Sequence, residues 1–292
     1  MRIADGQNQA GFLRNLQRVK VEMNDALARM YTGKRVRFAS DDPNASAELM
    51  RLQESVQKLE ARGRGISQSR AWLELTEQAI SEMQKILTKA RTLAVQASSD
   101  LSQGQGYEAI ANSVSGLRSQ LRGLADYRVS GNYIFSGTMT NTPPFNAAGA
   151  YQGNQGKIEI PLDEGSVQIN FAGDEIFGQA GSGGPVDLLE RFENALRAGD
   201  SVAVKAIIDD FDTALTNNST LIARVGSRRA LLEDSDIRIK NRKVEIAARA
   251  ADLGSADMAK AISDVQRLNT NYQATLAAGS RLFGPNFFDY LG

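Results

Sequence analysis

Apolar residues spaced alternately four and three positions apart mark the first thirty residues as an amphipathic helix. This pattern is typical of a helix that packs against one partner helix. It stops at Tyr31-Thr32-Gly33-Lys34, and a non-helical connector follows. Asp42-Pro43 then predicts a new helix, because the Asp side chain can cap free N–H groups and proline is tolerated at the first helical position. The stripe consists of Phe12, Leu16, Val19, Met23, Ala26 and Met30.

The next segment predicts one long helix from Pro43 to about Ala97, followed by a third helix from about Tyr107 to Arg128. Residues 44–142 contain no proline, so nothing in them forces a break. The apolar positions of the long helix are Leu49, Leu52, Val56, Leu59, Ile66, Trp72, Leu75, Ala79, Met83, Ile86, Ala90, Leu93 and Ala97.

In the middle of the chain, the spacing of apolar residues changes from a helical to a strand-like pattern. Four of the six prolines lie between Gly131 and Pro185, and proline interrupts helices. Short apolar or alternating runs bounded by turn-forming residues predict strands there. These runs are 133–135, 157–160 and 167–171. We therefore expect a small β domain inserted between helical arms.

The last third returns to helix near Val186 and continues towards the end, with a break at Gly199-Asp200. It has an apolar seam of its own, and an aromatic tip follows at residues 286–292. The seam comprises Ala251, Met258, Ile262, Val265, Leu268, Tyr272 and Leu276.

These elements predict a mainly α protein. The N- and C-terminal arms form a long antiparallel helical coiled-coil rod that carries a small inserted β domain. The expected division is a terminal coiled-coil assembly domain (1–42 and 245–292), a helical rod domain (43–132 and 186–244) and a β-rich outer domain (133–185).

The arms have more apolar surface than one helix pair can hide. Burying apolar area stabilises by roughly 25 cal/mol per Å², and such a surplus marks a surface for other chains. Repeated contacts between unlike faces generate rings or tubes. We therefore predict an assembly interface made of Phe12, Leu16, Val19, Met23, Met30, Met258, Ile262, Val265, Leu268, Tyr272, Leu276, Phe283, Phe287, Phe288 and Leu291.

Composition argues against catalysis. The chain has no Cys and no His, which removes thiolate and histidine nucleophile chemistry and the common zinc ligands. We therefore expect no enzyme, no catalytic residue, no metal site and no cofactor. The 34 basic and 34 acidic residues balance, so neither nucleic acid nor a membrane surface is an expected partner. Charged residues within the first twenty positions argue against a cleaved secretory signal.

Several segments resemble the flagellin superfamily, and in particular its hook-associated members. The segments shared with the superfamily are Thr32-Gly33-Lys34-Arg35, Ser40-Asp41-Asp42-Pro43, Trp72-Leu73 and 93–97. Those that resemble the hook-associated members are 132–138, Thr142-Pro143-Pro144-Phe145, Tyr151-Gln152-Gly153-Asn154, 224–228, Asp257-Met258-Ala259 and 288–291. The missing Asn-Gly pair and the Phe-rich tip differ from flagellin itself.

This resemblance implies a structural subunit of the bacterial flagellum that joins the hook-associated junction layer to the flagellin filament. The implied partners are other copies of the chain, the adjacent hook-associated junction protein and flagellin. A cytoplasmic export chaperone is implied on residues 262–291. The implied location is extracellular, in the flagellum, after export without a cleaved signal peptide.

Two alternatives remain open at this point. A flagellin filament subunit would share most of the same sequence features. A soluble coiled-coil adapter that binds a helical partner would belong to another class, and it predicts terminal arms that are ordered in the isolated protein.

Overall fold

The computed structural model describes residues 2–99, 105–179 and 181–283. Helices account for most of them: α1 (Arg2–Thr32), α2 (Pro43–Ser98), α3 (Gln105–Ala125), α4 (Gly173–Phe177), α5 (Pro185–Ala198), α6 (Ser201–Gly254) and α7 (Met258–Phe283). Four short strands lie between α3 and α4. They are β1 (Arg128–Val129), β2 (Asn132–Tyr133), β3 (Glu159–Pro161) and β4 (Ser166–Gln168).

The strands form two antiparallel hairpins, β1 with β2 and β3 with β4. The predicted mainly α fold with antiparallel terminal helices and a small β region is confirmed. The predicted strands were too long, however. The strand expected at 133–135 ends at Tyr133, because Ile134 and Phe135 turn inwards and are fully buried. The short helix α4 was not predicted.

The chain folds as two compact units. The first combines the two ends of the chain, up to Leu59 and from Asn241 onwards, and the second is Glu60–Lys240. The predicted three-domain boundaries stay a prediction.

In the second unit, α2 and α6 run antiparallel. The Asn218 side chain donates a hydrogen bond to the Ile80 carbonyl at 3.2 Å, and Arg91 Nε lies 2.5 Å from Asp212 Oδ1. Helices α3 and α5 pack together in the same unit. The largest fully buried side chains lie in this unit, among them Phe135, Phe171, Phe177, Phe192 and Phe211.

The predicted break at Gly199 is confirmed. Gly199 adopts a left-handed conformation (φ 69°) at the end of α5, and the Asp200 carboxylate accepts from the Ala203 N–H at 3.0 Å to cap α6. The expectation of unbroken helix beyond this point was wrong. Residues 255–257 separate α6 from α7, where Asp257 Oδ1 accepts from the Lys260 N–H at 3.0 Å and caps the new helix.

Candidate assembly interface

The two terminal helices, α1 and α7, pack against each other in antiparallel orientation. At one end, the Phe12 ring lies against the backbone of Gly279. At the other end, Lys34 just after α1 forms an antiparallel bridge with Ser255 just before α7. Part of the apolar stripe of each arm therefore faces the other arm.

The centre of this seam is narrow. Val19 and Ala26 from α1 and Ala261 and Leu268 from α7 are the buried apolar residues. Alanine contributes little area, so the pair gains only modest burial energy. The other predicted residues near the seam are half-buried: Phe12, Leu16, Met23, Met30, Val265, Tyr272 and Leu276.

Met258 and Ile262 do not belong to this seam. Their side chains are 43% and 45% exposed, and Ala261 is the buried residue of that helical turn. The two residues are four positions apart, so they share one face of α7. That face is available to another chain.

The end of α7 carries the rest of the predicted interface. Phe283 is its last residue, and its side chain is not among those described. Phe287, Phe288 and Leu291 lie outside the described residues. Their role in the interface stays a prediction.

Exposed large apolar side chains are concentrated in the first unit, although it is the smaller one. Tyr31 is the most exposed of them, at 78%. Exposed apolar residues that share one face, as Met258 and Ile262 do, offer a surface for contact with a partner. The exposed large apolar residues of the first unit are Val21, Tyr31, Phe38, Met50, Val244, Met258 and Ile262.

Residues 33–42, here called the connector, join α1 to α2 and are fastened to the α6–α7 junction. Gly33 adopts φ 64°, a conformation that favours glycine. The Arg35 N–H donates to the Gly254 carbonyl at 2.7 Å, and the Ala256 N–H donates to the Gly33 carbonyl at 2.8 Å. The Arg35 guanidinium also donates to the Leu253 carbonyl at 2.7 Å. The two ends of the chain are thus joined through backbone hydrogen bonds and through the Arg35 side chain.

Two carboxylates shape the connector. Asp42 Oδ1 accepts from the Ala45 N–H at 3.0 Å, which confirms the predicted cap of α2, and this bond together with the Arg35 guanidinium lowers the pKa of Asp42. Asp41 Oδ2 accepts from the N–H groups of Phe38 and Arg37 at 3.0 Å. These two hydrogen bonds lower the pKa of Asp41, because they favour the ionised form.

Sequence reasoning missed part of this arrangement. It identified the connector motif but not its partners, which lie more than two hundred residues away at Leu253 and Gly254. It also missed Tyr31 and Phe38 as exposed apolar residues. A signal for the junction was present, since Gly254 followed by Asp257 is a helix stop followed by a cap.

In the second unit, residues 224–228 of α6 hold the β region against that helix. The Arg228 guanidinium lies 4.1 Å from the centre of the Phe171 ring and donates to the Asn170 carbonyl at 3.2 Å. Burial lowers the pKa of Arg228. The Arg224 guanidinium pairs with Glu175 at 2.5 Å. This motif therefore has a structural role here.

Residues 178–179 and 182–184, which precede α5 and include three glycines, form part of the lining of a polar cavity of about 490 Å³. The N–H groups of Gly181 and Gly183 could bind an anion, but both donate to the Asp187 carboxylate, at 3.2 and 3.1 Å. Within the described ranges, no group of acidic residues is arranged to hold a metal ion. Among the residues that the structure describes, we find no helix that combines the length and the apolar character of a membrane span.

Comparison with known proteins gives matches along most of the chain. Residues 4–140 match the model of the bacterial flagellin N-terminal helical region, and residues 208–290 match that of the C-terminal helical region. The flagellar hook-associated protein 3 of Escherichia coli (strain K12) is 28% identical over 288 residues, which cover 89% of this chain and 90% of that protein.

Solved structures share the fold. A flagellar hook-associated protein from Vibrio parahaemolyticus aligns with a TM-score of 0.68 at 17% identity, over 74% of this chain and 100% of that one. Bacillus cereus FlgL aligns with a TM-score of 0.60 at 23% identity, over 69% of this chain and 99% of that one. The chain therefore belongs to the flagellin superfamily, where it is similar to the hook-associated protein 3 (FlgL) members.

Proposed function

We propose that this chain is a structural subunit of the bacterial flagellum that joins the hook-associated junction layer to the flagellin filament. It assembles with copies of itself through its terminal helices, and it contacts the adjacent hook-associated protein on one side and flagellin on the other. Its similarity to hook-associated protein 3 along 89% of its length supports this position in the organelle.

One observation carries the proposal. Only a narrow strip is buried between α1 and α7, and the first unit leaves large apolar side chains such as Tyr31, Phe38 and Ile262 exposed. Two paired helices leave part of each helix surface uncovered, and apolar side chains there gain stability when neighbouring chains cover them. An interface between non-identical faces can continue around a ring or tube.

The chemistry of the chain agrees with this role. It lacks Cys and His, and the conspicuous polar groups of the described residues serve as caps and interhelical bonds. We accordingly propose no catalytic activity and no cofactor. We also propose that the chain leaves the cell without a cleaved signal and that an export chaperone covers residues 262–291 beforehand.

Electron microscopy of intact flagella with a labelled antibody against the chain tests the proposed position. We expect a single band at the boundary between hook and filament. Label along the whole filament would instead indicate a flagellin-type subunit. Label absent from flagella, with the protein present in the cell, would contradict both and favour the soluble adapter.

A further inference from the structure

A second apolar feature of the first unit lies beyond the α1–α7 seam. It is a groove of about 430 Å³ between α2 and α6, next to the connector. Pockets of this size commonly accept compact apolar groups. Its lining is Lys34, Val36, Leu49, Leu52, Gln53, Val56, Ile246, Ala250, Ala251, Gly254 and Ser255, and we call it the connector groove.

The connector groove exists because small residues bring α6 close to α2 without filling the space between them. A Cβ on Gly254 would lie 3.3 Å from a methyl carbon of Leu49, so glycine sets the closest approach. Ala250 and Ala251 leave room beside it. Val36 and Ile246 are buried at its base, while Leu49, Leu52 and Val56 are half-buried. Apolar surface of this kind gains stability when a further apolar group covers it.

The charge of the groove lining indicates which group binds there. Lys34 is the one charged residue among those that line the groove, and its side chain makes no ion pair with any carboxylate of the described residues. The sequence after α7 is Gly-Pro-Asn-Phe-Phe-Asp-Tyr-Leu-Gly. It has aromatic residues at 287, 288 and 290, and its one charged residue is Asp289. The aromatic tip thus matches the groove in both polarity and charge.

The tip of the same chain cannot reach the groove. The groove adjoins Ser255, at the start of α7, whereas the tip leaves from Phe283 at the other end of that helix. A helix of 26 residues spans about 38 Å at roughly 1.5 Å per residue. The eight residues from Phe283 to Leu291 span at most about 28 Å when fully extended. A tip in the groove must therefore come from another molecule.

We propose that the connector groove of one copy binds residues 287–291, within the aromatic tip, of a second copy of this chain. This inference rests on the proposed function, since it gives assembly a specific contact. The contact joins two unlike surfaces, a tip and a groove. Each copy can therefore place its tip in one neighbour and bind the tip of another neighbour in its groove. Such head-to-tail contacts are those that build closed rings or continuous tubes.

Cysteine cross-linking tests this contact without background, because the 292-residue sequence has no Cys. One copy carries Ala250→Cys in the groove, and a second copy of different mass carries Gly292→Cys beside an intact aromatic tip. The matched control replaces Ala250→Cys by Ala248→Cys, an exposed alanine on the same helix that does not line the groove. A disulfide forms only when the two Cα atoms come within about 7 Å.

We expect roughly tenfold more disulfide-linked dimer with Ala250→Cys than with Ala248→Cys, because only the groove position lies close enough to a bound tip for a disulfide to form. Adding Phe287→Ser and Phe288→Ser to the tip should reduce the yield to the control level, whereas Asn286→Ser should not. Equal yields at the two positions, or a yield that does not depend on the phenylalanines, would overturn the inference.

A chain that carries both Ala250→Cys and Gly292→Cys distinguishes the origin of the tip. At high dilution it should stay unlinked, because its own tip is too short. An internal disulfide in that chain would contradict the inference. The antibody label tests the proposed function separately. A band at the hook–filament boundary together with a negative cross-linking result would contradict the groove contact and leave the proposed function standing.

Discussion

The Phe12 ring occupies the space where a side chain of residue 279 would stand. Gly279 is buried on α7, and any Cβ placed there would overlap the ring. This contact sets the distance between α1 and α7 at the end of the helix pair where α7 finishes. At the other end, the backbone bonds of the connector do the same.

Gly279→Val should loosen the helix pair, because overpacking a close contact destabilises by about 1–3 kcal/mol. Amide exchange at Leu268 in the purified subunit would measure the loss. Gly11→Ala is the control, since a Cβ on Gly11 meets open space and should stabilise α1 by about 0.5–1 kcal/mol. Combining Gly279→Val with Phe12→Ala should restore part of the loss. Equal effects of the Gly279 and Gly11 variants would contradict this view of the contact.

Substitutions of the exposed residues Met258 and Ile262 test assembly without affecting folding. Replacing both with Ser should change the unfolding free energy of the helix pair by no more than about 0.5 kcal/mol per site, because neither side chain lies in the seam. Incorporation into flagella should nevertheless decrease, and quantitative immunoblotting of isolated flagella would measure it. Ile237→Ser in the second unit, also half exposed, is the control. An equal decrease for the control would count against the assigned face.

Acid should open the connector. The pKa values of Asp41 and Asp42 are lowered in the folded chain, so their stabilising contribution is complete above the ordinary carboxyl pKa of about 3.9. It is lost as pH falls through the lower folded values. The amide proton shifts of Phe38 and Ala45 should therefore titrate with midpoints below that ordinary value. Asp42→Asn, which still caps the helix, should abolish the titration at Ala45 and leave that at Phe38.

Glu193 joins α3 to α5 from a buried position. Its side chain is 9% exposed and lies 3.3 Å from Arg118 and 2.9 Å from Arg197. Glu193→Ala should destabilise the second unit by about 1–3 kcal/mol, because the charged hydrogen bonds are lost. Glu190, an exposed partner of the same Arg118 at 3.6 Å, is the matched control and should contribute less than about 1 kcal/mol.

The buried side chain of Trp72, the single tryptophan of the chain, reports unfolding of the second unit. Urea titration followed by Trp72 fluorescence would give the change in unfolding free energy for Glu193→Ala and for Glu190→Ala. If Glu190→Ala destabilised the unit as much as Glu193→Ala does, burial would not explain the difference between the two carboxylates.

The sequence predicted the features that depend on local signals. Asp42-Pro43 and Gly199 mark helix ends by capping and backbone conformation, and the structure places both as expected. Strand lengths were overestimated, because burial of Ile134 and Phe135 in turns gives the same apolar run as a strand. Ile262 was assigned to the seam instead of Ala261, since small apolar residues carry a weak signal and the partner helix decides which of two neighbours is covered.

The long-range features were beyond prediction from the sequence. Pairing of the connector with Gly254 uses backbone groups, which leave no side-chain signature. The Arg35 side chain binds the backbone carbonyl of Leu253, and a carbonyl acceptor is likewise not marked by the identity of its residue. The connector groove likewise depends on how closely α2 and α6 approach at Gly254, and a single sequence carries no distance between helices. Both features lie in the unit that we assign to assembly.

Hydrogen exchange measured on the isolated subunit and on the subunit in assembled flagella tests the central claim most directly. If neighbouring chains complete the cover of the terminal helices, amides of residues 10–30 and 260–281 should exchange much more slowly after assembly. Those of helices α3 and α5, which pack together in the second unit, should change little. Strong and equal protection of the terminal helices in both samples would contradict the account.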